Sequence, residues 1–76
     1  MNKKYYVCRF HTCDGKKTRE YKRTKCLDTW VSEKWFYDHP DEVWKFSKQG
    51  AQKIVDRYNA RNFMKTYGEY HILPAD

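Results

Sequence analysis

Asp14-Gly15 constrains this chain more than any other pair of residues. A two-residue β-hairpin of type I′ needs φ > 0 at both central positions, and Asp-Gly is among the few dipeptides that supply this cheaply. The residues before it, Tyr5-Tyr6-Val7-Cys8-Arg9-Phe10, are rich in strand formers. Placing the turn there predicts the register: Cys13 opposite Lys16, His11 opposite Thr18, Arg9 opposite Glu20, Cys8 opposite Tyr21 and Val7 opposite Lys22. Arg9 and Glu20 then form a cross-strand ion pair. One face of this hairpin carries Tyr6, Cys8, Phe10 and Tyr21, the other Tyr5, Val7 and His11. Both have apolar character, and the pattern alone does not choose the buried one.

What packs against the hairpin is set by a shortage. The 76 residues include only twelve Val, Ile, Leu or Phe. That is under the roughly one-fifth below which a highly charged chain tends to be disordered. Seven Tyr and three Trp make up the deficit, since each buries on the order of 150–250 Å². The chain is therefore expected to be one domain, residues 1–76, with an aromatic core and little room for a deep substrate pocket.

The clearest further element is a helix entered at Ser47, whose side chain suits an N-cap. Ala51, Ile54, Val55, Tyr58 and Asn62 follow the spacing of one apolar stripe. Gly50 in its first turn reads as a place where another backbone approaches. Lys34-Trp35-Phe36-Tyr37 reads as a third strand, ended by Asp38-His39-Pro40, with one helical turn from Pro40 to Trp44. Tyr70-His71-Ile72-Leu73 reads as a last strand stopped by Pro74. The expected fold class is α+β, in the order β-β-(β)-α-β: a short, mainly antiparallel sheet with one helix packed on it.

Charge is distributed unevenly. The net +6 divides into +7 over residues 1–26, −3 over residues 27–46 and +2 over residues 47–76; the acidic third holds six of the fourteen aromatics. In the basic run 16–25, a strand places Arg19, Tyr21 and Arg23 on one face, where arginines can grip phosphates and a tyrosine can stack a base. Along the helix Lys53, Arg57 and Arg61 recur four residues apart, nearly opposite the apolar stripe, with Asp56 one position off the row. Both surfaces suit nucleic acid or acidic protein groups. Trp30, Trp35, Tyr37 and Trp44 are mostly needed for the core; any left exposed is a protein-interface candidate.

Catalysis and metal binding have weaker support. Cys8, His11, Cys13 and Cys26 are a set with zinc-ligand chemistry. However, Cys8 and Cys13 stand about 16 Å apart on an extended strand, and the hairpin cannot gather all four. Free thiols, no cofactor and no enzymatic activity are the expectation, since no motif aims a base at a nucleophile. An odd cysteine count, the lack of an apolar leader stretch and the lack of any membrane-length apolar run point to a cytoplasm. An uncovered edge strand also leaves a route to a homodimer.

Several stretches together resemble a loose class of small phage-encoded cytoplasmic proteins: the opening Tyr5-Tyr6-Val7 strand, Trp44-Lys45-Phe46-Ser47 leading into the helix, the Ala51 to Val55 face, and Tyr70-His71-Ile72 near the end. These are architectural positions and carry over no site residues. The resemblance implies stoichiometric action on host machinery, including inhibition of defence nucleases, in the host cytoplasm. A charge of +6 departs from the acidic surface of inhibitors that imitate DNA. The leading expectation is a non-enzymatic binding protein for a host protein or nucleoprotein complex. The alternative is a direct binder of RNA or single-stranded DNA through the basic, aromatic hairpin face.

Overall fold

In a computed structural model, which describes residues 3–26, 28–61 and 67–75, Asp14 and Gly15 have φ of 53° and 77°. They turn strand β1 (Lys4–Cys13) into strand β2 (Lys16–Lys22). The predicted pairing holds from Cys13–Lys16 through Arg9–Glu20 to Cys8–Tyr21. Arg9 Nε lies 2.8 Å from Glu20 Oε1, with both side chains largely withdrawn from solvent. β2 continues the sheet by pairing with β3 (Trp30–Ser32), Tyr21 opposite Val31 and Lys22 opposite Trp30.

β1 is the middle of the sheet. Its other edge pairs antiparallel with β5 (Tyr67–Pro74), Val7 opposite Ile72 and Cys8 opposite His71. A two-residue strand, β4 (Phe46–Ser47), pairs with Lys4 and Tyr5. Tyr5 also pairs with Pro74, and a strand has only two edges, so β4 extends the β2 side. The β1–β5 register shifts between Cys8 and Phe10. Glu69, with φ of 50°, lies in the extra length of β5, which fits a β-bulge.

Alternation along β1 settles the question of the buried hairpin face: both are covered. Val7 is fully buried with Phe46, Ala51 and Val55, and Ile54, Tyr70, Ile72 and Trp30 pack around them. That side is closed by helix α2 (Lys48–Ala60). Cys8 is fully buried with Tyr6, Tyr21 and Val43, and Val31, Trp35, Phe36 and Leu73 complete the group. That side is closed by a short helix, α1 (Glu33–Asp38).

The existence of α1 corrects the strand expected at 34–37; the third strand is residues 30–32 instead. Ser32 Oγ accepts from the Trp35 N–H at 3.1 Å, and Glu33 sits at the positive end of the turn, so a cap and a favourable charge outweigh the β preference of the aromatics. A 3-10 turn follows at Pro40–Glu42, shorter than the turn expected from Pro40 to Trp44 because Val43 is already extended. α2 starts at Ser47, whose Oγ accepts from the Gly50 N–H at 3.1 Å. No second backbone explains Gly50: a Cβ there would meet the capping Ser47 Oγ at 3.1 Å. The last member of the expected stripe, Asn62, lies outside the described residues. No helix among the described residues is long and apolar enough to cross a membrane.

Candidate functional site

The basic face of β2 is turned inward. Tyr21 is 3% exposed and its ring stacks on Phe36, centroids 4.1 Å apart at 9°, with Tyr6 edge-on at 5.8 Å. Its π-face is therefore not offered to a base, which corrects the expected stacking role; α1, unforeseen at this position, brings Phe36 onto it. Burial also pushes the Tyr21 phenol above its ordinary range. The flanking arginines serve the same packing. Arg19 Nε lies 3.2 Å from His71 Nε2, its NH1 3.5 Å from Glu33 Oε2, and its guanidinium 5.2 Å from the Phe10 ring. Arg23 reaches Glu42 at 3.6 Å and lies 5.0 Å from the Trp35 ring. These contacts tie the hairpin to α1 and the 3-10 turn.

The opposite face holds Trp30 at the centre of an aromatic group. Tyr58 and Tyr70 stack at 4.8 Å and each meets Trp30 edge-on, at 5.7 and 5.8 Å. Arg9 lies 4.2 Å from the Trp30 centroid. Lys22 is 5% exposed, its ammonium 5.9 Å from Trp30 and 6.0 Å from Tyr58. Burial lowers its pKa, and the charge of Asp28 opposes that shift. Asp28 accepts from the Tyr58 hydroxyl and from Trp30 Nε1. The Tyr58 hydrogen bond, with help from Trp30 and the nearby cations, holds this carboxyl below its usual range. Burial and the same carboxylate push the Tyr58 phenol up. Trp30 is thus spent on packing. Trp35 is also half-buried, stacked on the His39 ring at 4.4 Å.

Two candidate interface aromatics remain open: Tyr37, 67% exposed, and Trp44, 45% exposed. Trp44 is fixed by its neighbours. Val43 is buried beside it, and the Trp44 N–H donates to the Arg23 carbonyl at 2.8 Å, so the extended backbone sends Val43 inward and Trp44 outward. Its indole borders an open groove of about 520 Å³ lined by Arg23, Thr24, Lys25, Cys26, Asp41, Glu42 and Val43. Lys25 Nζ stands 5.0 Å from the indole centroid.

Lys53 and Arg57 on α2, and Arg61 at its C-cap, are exposed. Among the described residues no acid lies within ion-pair distance of any of the three, and Asp56 is bonded by the Gln52 amide at 2.9 Å. Arg57 shares a smaller pocket of about 180 Å³ with Lys22, Lys25, Asp28 and Tyr58. Lys25 therefore belongs to both concavities and joins the helix row to Trp44. It lay in the basic run of the sequence, but only the return of the chain at 43–44 singles it out.

The zinc-like set is spread apart. Cys8 and His11, three positions apart on one strand, point to opposite faces; His11 lies 4.0 Å from Glu20. Burial pushes the Cys8 thiol up to about 12, while Cys13 and Cys26 are exposed. Among the described residues no three His, Cys, Asp or Glu side chains gather closely enough to hold a metal.

The chain matches no protein-family model, no curated protein and no solved structure.

Proposed function

We propose that this chain is a non-enzymatic binding protein that attaches stoichiometrically to a nucleic-acid-handling complex. The resemblance to small phage-encoded modulators puts that complex in a host, with defence nucleases among the candidates. One observation carries the reading: Trp44 is 45% exposed beside a groove, while Trp30 and Trp35 are taken up by internal packing. A chain this short of aliphatic side chains gains stability from every ring it buries. Leaving a tryptophan half in water forgoes part of that gain, and an interface recovers it. The rim fits a charged partner, since the groove is lined by Lys25 and Asp41 together with the paired Arg23 and Glu42.

Affinity capture from bacterial lysate, with the wild-type chain and Trp44→Ala in parallel, tests this. A discrete stoichiometric nucleoprotein recovered with the wild type and depleted with Trp44→Ala is the expected result. Recovery of no stable partner, or of one indifferent to Trp44, overturns it. The Arg19–Tyr21–Arg23 face lends little to direct nucleic-acid binding, because its tyrosine ring is buried and its arginines face acids and rings of the same molecule.

A further inference from the structure

We infer that α2, Lys25 and Trp44 form one binding surface for single-stranded nucleic acid, with Trp44 stacking an unpaired base and Lys25, Arg57, Arg61 and Lys53 contacting the phosphates. This rests on the docking reading above and names the component of the complex that is touched.

The charge accounting points here. The acids of the ion pairs seen among the described residues are engaged by the hairpin: Glu20 by Arg9, Glu33 by Arg19, Glu42 by Arg23 and Glu69 by Lys17. The helix row has no such neutralising partner among the described residues. Lys53 and Arg57 are separated by an axial rise of about 6 Å, Arg61 follows at the C-cap of the helix, and all three are exposed. Lys25 extends the row, since it lines one pocket with Arg57 and stands over Trp44. The result is a row of three exposed cations flanked at Arg57 by a fourth, Lys25, which stands beside an exposed indole. Sequence-tolerant single-strand binders combine these two parts, a basic track for the backbone and a ring for a base. Stacking also discriminates among polyanions: a duplex hides its base faces and an acidic protein has none to offer.

The test is anisotropy of labelled oligo(U) and oligo(dT) across a salt series, with the corresponding duplex, heparin and poly-glutamate as competitors. Four phosphate contacts predict a log–log salt slope of about −3 for a single strand. Replacing Arg57 and Arg61 together by Gln shallows the slope by about 1.4. Trp44→Ala weakens single-strand binding roughly five- to a hundredfold and leaves heparin binding unchanged, while Trp44→Phe restores most of the loss. Circular dichroism confirms that each variant is folded before it is scored.

Absence of binding at low salt overturns the inference, as does binding indifferent to Trp44 or matched by poly-glutamate. If the oligonucleotides fail while Trp44-dependent capture from lysate persists, this inference falls and the docking reading stands. The reverse pattern removes the docking reading and leaves the surface.

Discussion

Asp28 shows how much one side chain does in a molecule this small. Its carboxylate accepts from Tyr58 on α2 and from Trp30 on β3, and so links the loop after β2 to the aromatic group beneath the helix. Because these bonds favour the ionised form, its folded-state pKa lies below the unfolded one. The stabilisation is therefore complete above the ordinary aspartate pKa of about 3.9 and is lost as pH falls through the folded-state value. Asp28→Ala is expected to cost about 1 kcal/mol at neutral pH, a modest figure for charged hydrogen bonds because the group is exposed. Urea titrations at neutral and acidic pH check this: the gap between wild type and variant closes on acidification. A gap constant with pH sinks the assignment. Neither Asp28 nor its neighbour Lys22 was legible as part of a site, since the partner that completes it, Tyr58, lies on a helix 30 residues or more away in the chain. Tyr21 and Arg19 misled for the same reason. Strand alternation placed them on one face correctly, but no local pattern says that a helix covers that face.

At the scale of elements, the two helices share a device. Each begins at a serine whose hydroxyl accepts from the backbone N–H three residues on, Ser32 to Trp35 and Ser47 to Gly50. In α2 the cap interferes with the residue it serves. Replacing Gly50 by Ala gains up to about 1 kcal/mol of helix propensity, but the new methyl lies 3.1 Å from the Ser47 Oγ. Ser47→Ala alone is expected to cost about 1 kcal/mol and Gly50→Ala alone to be near neutral. In the Ser47→Ala background Gly50→Ala becomes stabilising, and a double-mutant cycle measures the coupling. Purely additive effects would show that the cap and the glycine are independent. The hairpin was legible because Asp14-Gly15 determines its own geometry, and α2 because Ser47 and a periodic stripe agree. α1 was misread because Trp35-Phe36-Tyr37 has strand composition, and the decisive signal, Ser32 followed by Glu33, is only two residues long.

At the scale of the molecule, one strand carries two cores. Val7 and Cys8 are adjacent and both fully buried, Val7 facing α2 and Cys8 facing α1. The two sides share the backbone of this one strand. A substitution on one side of β1 must therefore loosen the strand that forms the floor of the other. Val7→Ala removes the equivalent of two buried methylenes and leaves a cavity, a cost of about 2 kcal/mol or slightly more, a large fraction of the stability of so small a domain. The tryptophans supply separate reporters, Trp30 on the Val7 side and Trp35 on the Cys8 side. In two backgrounds that each keep one of them and replace the others by Phe, Val7→Ala should lower the urea midpoint equally, because both cores melt with the strand they share. A fall seen by Trp30 alone would mean that the faces unfold independently, and that α2 with its row of cations can detach from the sheet without disturbing Tyr21. Coincident shifts make the surface that joins α2 to Trp44 as stable as the whole protein.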